Sequence, residues 1–490
     1  MKTYTIFSLL LFFCLSSCTE SIQNASQINS LPNIYPDYAG VTIPVNIAPL
    51  NFSVVDSGVS RIDVRISNSS NSQIHSQGSQ YSNINISDWQ NILSQSVGDS
   101  LRVEVSTKRN SEWESYLPFY IYVSPDSIDY GIVYRLIEPG YSAYSKMGIY
   151  ESCLSNGQQS ALIENTQFQG CVNCHSFNQG NPSSMSLHVR GPQGATLLQL
   201  NGKIEAYNTT TSQTLGSCVY PYWHPSGRYI AYSTNNTQQV FHVQNPKRIE
   251  VYDQASDLQV YDTKTNQLLI TPILMRKDAL ETFPAFSADG RTLYFCSADS
   301  KAVDANDFEN IRYNLCSISF NPESGTFGDH IDTLVNAAAE GKSISFPRPS
   351  YDGRFLVYTM SNYGQFSIWH PEADLYIMDL LSGSSLPMST INSNNTESYH
   401  SWSSNSKWLV FSSRRDDGLF TRPYFTHINQ NGTQSKPFLL PQQNPRDFYR
   451  DLFFSYNVPE FITSPTNFNT PQAIKALNTP TRNSMPPTYK

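Results

Sequence analysis

"TFPAFSADGRTLYFCSAD" (282–299) and "SFPRPSYDGRFLVYTMSN" (345–362) are one pattern written twice. Each reads as a short apolar strand, a Ser-x-Asp-Gly-Arg turn, and a second apolar strand that ends in small polar residues. "VYPYWHPSGRYIAYSTNN" (219–236) and "SYHSWSSNSKWLVFSSRR" (398–415) are two further copies. Aligning all four puts Gly227, Gly290, Gly353 and Ser406 in register, at separations of 63, 63 and 53 residues. Asp-Gly supplies the positive φ that a tight hairpin needs. The first copy departs with Ser226 for Asp, and the last with Asn405-Ser406-Lys407 for Asp-Gly-Arg. A further pair of strands follows the copies, as in "DLQVYDTKTNQLLI" (257–270) and "ADLYIMDLLSGSSLPM" (373–388). About four strands per unit is the pattern of propeller blades. "GIVYRLI" (131–137) and "ATLLQLNGKIEAYN" (195–208) read as one more blade, interrupted in its middle.

Upstream, 36–128 carries short alternating runs such as "RIDVRISN", "SLRVEVSTK" and "LPFYIYVS", separated by turn residues. That spacing predicts a β-sandwich-like domain, with one short helix in "ISDWQNILSQSV" (86–97) capped by Ser87. The chain is therefore expected to be all-β: a sandwich-like domain, then a propeller of 5–6 blades over 129–461 with an insert at about 150–191. The last segment, 462–490, is rich in Pro, Asn and Thr and is expected to be a disordered tail. The 490 residues carry a net charge of -8, with 15% charged and 13% aromatic residues. No basic stripe is present, so nucleic acid is not an expected partner.

Residues 1–17 read as an export signal: Lys2, then an apolar core, then Leu15-Ser16-Ser17-Cys18. Leu-Ser-Ser-Cys resembles the lipobox of bacterial lipoproteins. The resemblance implies cleavage before Cys18, lipid on that residue, and 18–35 as a polar tether to a membrane. Of the 8 cysteines, Cys14 leaves with the signal. Cys296 and Cys316 lie on neighbouring expected strands and form the more credible disulfide in an oxidising compartment; Cys153 with Cys218 is a weaker pair.

The interrupting stretch is "GCVNCHSFNQGNPSSMSLHVRG" (170–191). Cys-x-x-Cys-His is the attachment motif of c-type haem. Two thiols so spaced reach the two vinyl groups on one edge of a porphyrin, and the next residue lies under the iron. Cys171 and Cys174 would hold the macrocycle and His175 the iron. A zinc site wants a second ligand pair that the sequence lacks, and a thioredoxin-like dithiol wants a strand–helix setting where "HSFNQGNPSS" reads as a loop. Met185 is the favoured second axial ligand and His188 its competitor; an iron open on one side is the third choice.

The repeats resemble the TolB-like propeller family, whose blades carry Pro-x-x-Ser-x-Asp-Gly-Arg before an apolar strand. "MSLHVRG" (185–191) and 222–242 also resemble a group of exported lipoproteins of Gram-negative bacteria, in which such a propeller carries a Cys-x-x-Cys-His insert. The resemblance implies a lipid-anchored protein of the cell envelope with one covalent haem c, without fixing a reaction. Electron transfer or redox sensing is the expected function, with a redox partner or envelope protein. The alternative is a binding or scaffold module for an envelope glycan, peptide or protein, in which the haem is mainly structural. An enzyme ranks last, because no catalytic constellation is visible. Polar clusters at strand ends are candidate channel residues: His224, Asn235, Asn236 and His242; Trp369, His370, Glu372 and Asp374; Glu397 and His400; Arg414 to Asp417. Most such residues serve turns and blade contacts.

Overall fold

The computed structural model describes Ile22, 24–139 and 146–490. The export signal, Cys14 and Cys18 lie outside the described residues. Within the expected tether, Ser26–Gln27 already pairs in parallel with Glu112–Ser115, and Ile34–Tyr35 pairs with Ser53–Val54. The N-terminal unit is one mixed seven-stranded sheet and this separate two-stranded ladder, where two packed sheets were expected. Its central strand, Ser100–Arg109, alternates buried and half-buried residues, the period of a strand with one face on a core. The helix is Ile86–Ser94. Its cap is Asn85, not Ser87: the Asn85 side chain accepts from the Ser87 and Asp88 amides. Trp89, fully buried, donates its indole N–H to the Ile47 carbonyl at 3.0 Å.

Six antiparallel sheets of four strands then form a ring, each sheet a blade of a six-bladed propeller. In blades two to six the strands run from the axis outward in chain order. Blade one differs. Its innermost strand, Ser455–Ile462, comes from near the C-terminus and pairs antiparallel with Gly131–Ile137, in register Gly131 with Ile462 and Ile137 with Ser455. The ring is thus closed by backbone hydrogen bonds between its two ends, which pairs the edge that Gly131–Ile137 would otherwise expose toward the axis and leaves only the short outer edges of the blades.

This closure corrects the reading of 131–208. "GIVYRLI" is the second strand of blade one and shares no blade with "ATLLQLNGKIEAYN". Among the described residues no insert interrupts a blade. Cys171–Asn178, Asn181–Arg190, Ala195–Leu200 and Lys203–Asn208 make a regular blade two, with the Cys-x-x-Cys-His residues on its innermost strand. The expected loop "HSFNQGNPSS" is the hairpin between the first two strands. Gly180, at φ +74°, occupies the turn position that Gly227 and Gly290 hold at +72° and +71°.

The tail is also corrected. Thr470–Asn478 is a helix that buries Ala473 and Leu477, and Asn469 caps it. Asn483–Ser484 and Pro487–Tyr489 then add a parallel strand to the outer edges of blades two and three. Cys296 and Cys316 are both free and buried. Cys296 stands opposite Leu315 and Phe295 opposite Cys316, a one-residue offset that sends the two sulfurs to opposite faces of the sheet. Cys153 and Cys218 are free as well.

Removal of 455–490 leaves the Gly131–Ile137 edge unpaired and the ring open. That truncation is expected to abolish the cooperative thermal transition and to drive aggregation. Removal of 480–490 alone, which strips only outer-edge strands, is expected to keep a cooperative transition within a few degrees of the full chain. Calorimetry on the two truncations checks both.

Candidate functional site

The innermost strands of all six blades share one irregularity. Two residues stand opposite one on the neighbouring strand, between Val172 and His175, Val219 and Tyr222, Thr282 and Ala285, Ser345 and Arg348, and Ser398 and Ser401. In blade one the extra pair is Val458-Pro459, opposite Tyr134. This is a β-bulge, which bends the strand and re-aims a side chain. The first bulge residue has positive φ in five blades: Tyr220 (51°), Phe283 (52°), Phe346 (52°), Tyr399 (48°) and Val458 (51°). Proline follows in four of them, at 221, 284, 347 and 459, where no ladder donor is required. The four rings meet near the axis, with centroids 4.4 Å apart for Tyr220–Phe283, 4.0 Å for Phe283–Phe346 and 4.9 Å for Phe346–Tyr399. They make an apolar floor across the channel.

In blade two the bulge pair is Asn173-Cys174, so Cys174 stands where four other blades have proline. The bulge also resets the alternation of the strand. Cys171, Asn173 and Cys174 are half-buried, while Val172 and His175 are buried. Above the floor is a cavity of about 250 Å³, and Cys171, Cys174 and His175 are all on its wall, with Tyr220, Phe346 and Tyr399 below them. The opposite wall is a lid. Strands Tyr229–Phe241 and Ile249–Asp262 of blade three run beyond their sheet as a long hairpin. Alternate residues Asn235, Thr237, Gln239 and Phe241, with Ile249 and Val251, face the cavity.

His175 is 2% exposed. Its Nε2 lies 3.3 Å from the Val133 carbonyl of blade one, while Nδ1, though buried, has no hydrogen-bond partner among the described residues. Burial pushes the imidazole down to about 4, so it is neutral at pH 7. Met185 is not brought to the cavity. It sits on the second strand of the blade opposite Phe177, 1% exposed, packed among Val172, Phe177 and Leu187 in the core between blades one and two. His188 points the other way, its Nδ1 3.4 Å from the Thr196 hydroxyl, and burial pushes it down to about 3. The methionine on the cavity wall is Met147.

Of the other expected channel residues, Asn235, Trp369 and Arg414 are on the wall. His224 bridges the Ser226 hydroxyl and the Gly290 carbonyl, and His400 lies 2.9 Å from the Val357 carbonyl, both as blade contacts. Glu397 is held by Ser393, Ser413 and Arg415, and Asp416 accepts from Tyr35 and Tyr424. Three features of the cavity wall went unread: Arg135, Arg190 and the hairpin lid. Aligning Gly180 with Gly227 supplies the signal for the strand, since both stand eight residues after the residue that opens the bulge.

His370 ties the lid down. It is 1% exposed, with Nε2 3.0 Å from Glu250 of the hairpin and Nδ1 3.4 Å from Glu372. Tyr363 donates to Glu250 at 2.7 Å, and Lys247 reaches Tyr363 at 3.1 Å and Glu372 at 3.5 Å. Against the opposing effect of burial, hydrogen bonds to the two carboxylates raise the His370 pKa above 6.5.

No family model and no curated protein matches the chain. Among solved structures it is similar to prolyl oligopeptidase B from Galerina marginata, at 9% identity and TM-score 0.35, over 68% of this chain and 42% of that one. It is also similar to the Cps50 (Swd1) β-propeller domain of Myceliophteria thermophila, at 11% identity and TM-score 0.33, over 66% and 92% of the two chains. Sqt1 from Chaetomium thermophilum aligns at 12% identity and TM-score 0.32, over 71% and 85%. The chain thus spans less than half of the prolyl oligopeptidase it matches.

Breaking the buried His370–Glu250 pair strands a carboxylate, which costs about 3–5 kcal/mol. His370→Gln is therefore expected to speed hydrogen exchange at 235–255 by two orders of magnitude or more, with blades four to six unchanged. Since folding raises the His370 pKa, the stabilisation is full below 6.5 and is lost as pH rises through the folded value. Exchange at the hairpin should accelerate over that rise in the unaltered protein, beyond the intrinsic pH dependence, and not in the variant.

Proposed function

We propose that the chain carries one covalent haem c at the mouth of its propeller channel and serves in electron transfer or redox sensing. One observation carries this reading. The two free thiols and the imidazole of Cys-x-x-Cys-His all reach the wall of the same apolar cavity. The imidazole fits the role of a metal ligand: one ring nitrogen is anchored on a backbone carbonyl and the other is left without a partner among the described residues. Cys171 and Cys174 would form the thioether bonds and His175 would hold the iron. When bound, the group supplies one-electron chemistry, with a potential set by axial ligands and burial. The chain's own residues keep water away, through the aromatic floor and the hairpin lid, and keep His175 neutral and able to coordinate. The resemblance to TolB-like lipoproteins and the Leu-Ser-Ser-Cys sequence support lipidation at Cys18 and a place on a membrane of the cell envelope.

Production alongside a haem-attachment system, followed by denaturing electrophoresis with haem stain and intact mass, tests the reading. The chain is expected to gain the mass of one haem, and Cys171→Ser/Cys174→Ser to gain none. A chain that emerges unmodified under conditions that mature a control cytochrome c sinks the proposal. Met185→Ala is expected to lower stability by about 2–5 kcal/mol, the range for a vacated core site. It should leave the reduced and oxidised spectra of the loaded protein as they were, because Met185 is outside the cavity. A Cys18→Ser variant is expected to leave the membrane fraction.

A further inference from the structure

The wall of the mouth cavity bears Arg135, Arg190, Arg348 and Arg414, against a single acidic residue, Glu138, among the described residues. Arg414 is the most constrained. It is 3% exposed and lies flat on Trp369, its guanidinium carbon 3.4 Å from the ring centroid. Its Nε donates to the Ile368 carbonyl at 2.7 Å and its Nη1 to the Leu419 carbonyl, and Nη2 finds no hydrogen-bond partner among the described residues. Burial pulls its pKa down to about 9, so it remains a cation at pH 7. Arg135 is held by the bulge of blade two: its Nη1 donates to Asn173 Oδ1 at 2.8 Å, and its buried Nε has no partner among the described residues. Among the described residues Arg135, Arg190 and Arg414 have no carboxylate within ion-pair distance, while Arg348 acts on the buried Glu460. Arg415, next in sequence to Arg414, does pair, with Glu397 at 3.1 Å.

A buried cation without a counter-ion is costly to keep, by several kcal/mol. The guanidinium fork is shaped for a carboxylate or phosphate. Here the cations border a floor of Tyr220, Phe346 and Tyr399 and a lid face bearing Phe241 and Val251, surfaces that favour an apolar, flat body over a hydrated phosphate ester.

We propose that Arg414 and Arg135 form a carboxylate-recognition pair in the mouth cavity, which takes an apolar ligand bearing acid groups at one edge. The haem reading fixes only the identity of that ligand: there the acids are the two propionates of the macrocycle. The inference thus deepens that reading, and a free apolar carboxylate is the other source of the same chemistry.

The test uses the full chain with Cys171→Ser/Cys174→Ser, so that no covalent bond or attachment system intervenes. Protoporphyrin IX and its dimethyl ester, identical but for the capped acids, are titrated by fluorescence; palmitate and methyl palmitate are compared in the same way. The free acid is expected to bind at least ten-fold more tightly than the ester. Arg414→Gln/Arg135→Gln should bring the acid down to the affinity of the ester and leave the ester unchanged. Arg414→Lys, which keeps a cation, should retain part of the preference, and it reports on the pair if the double variant does not fold. Acid preference for the porphyrin supports both the pair and the haem reading. Acid preference for palmitate with no porphyrin binding supports the pair and counts against the haem. Equal affinity for acid and ester in both series, or a preference that survives loss of both guanidiniums, overturns the proposal.

Discussion

The ladder between Gly131–Ile137 and Ser455–Ile462 is the contact on which the rest of the molecule depends. Each blade alone is a small twisted sheet with two exposed edges and a face too small to bury itself. Stacked in a ring, each face is covered by its neighbour, but only if the first and last blades meet. The chain achieves this by splitting blade one between its two ends, so every inter-blade interface depends on a pairing more than three hundred residues apart in sequence. The N-terminal unit shares in it. Its core runs without a break into blades five and six, where Trp408, Phe411 and Phe425 are buried together with residues such as Tyr38 and Ile43.

Closure brings six innermost strands to one axis, and the bulge decides what each presents there. A regular strand would alternate its side chains between the two blade interfaces. The extra residue turns one side chain per blade toward the axis, at the cost of a positive φ that a tyrosine, phenylalanine or valine tolerates poorly, about 1–3 kcal/mol each. Five blades accept that cost and fill the channel. Blade two departs: Asn173 is not in the left-handed region, and a thiol takes the proline position. The departure opens the cavity wall on the side of Cys171 and Cys174, beside Arg135, which Asn173 itself holds.

The strand–turn–strand repeat was legible because hairpins at a solvent-facing edge need Asp-Gly or its equivalents. The four copies anchored at Gly227, Gly290, Gly353 and Ser406 gave the propeller directly. Blade two was not legible, because its second strand, "NPSSMSLHVR", lacks the apolar run of its counterparts, and the haem-like motif drew its first strand into an imagined insert. The bulges could not be read at all, since they are a property of pairing between strands and leave only the faint trace of a proline after an aromatic residue. Met185 illustrates the limit. Its ten-residue distance from His175 suggested a chain folding back over a ligand, whereas the hairpin places it one strand out, facing blade one. The tail was misread for a related reason: "NTPQAIKALN" and the segments after it gain their order from blade edges that its own composition does not reveal.

The same residues that make the cavity apolar also control access to it. The lid hairpin contributes Phe241, Ile249 and Val251 to the wall on one face, and Glu250, between two of them in sequence, points the opposite way into the His370 cluster. Strand alternation therefore couples the two: the face that covers the cavity and the carboxylate that ties the hairpin down cannot be shifted independently. Opening the lid exposes apolar side chains to water and separates a buried ion pair in one movement. Both penalties fall on the open state, so a ligand in the cavity is enclosed by the fold's own packing energy, while its acid edge can meet the Arg414 guanidinium, which burial has already stripped of water.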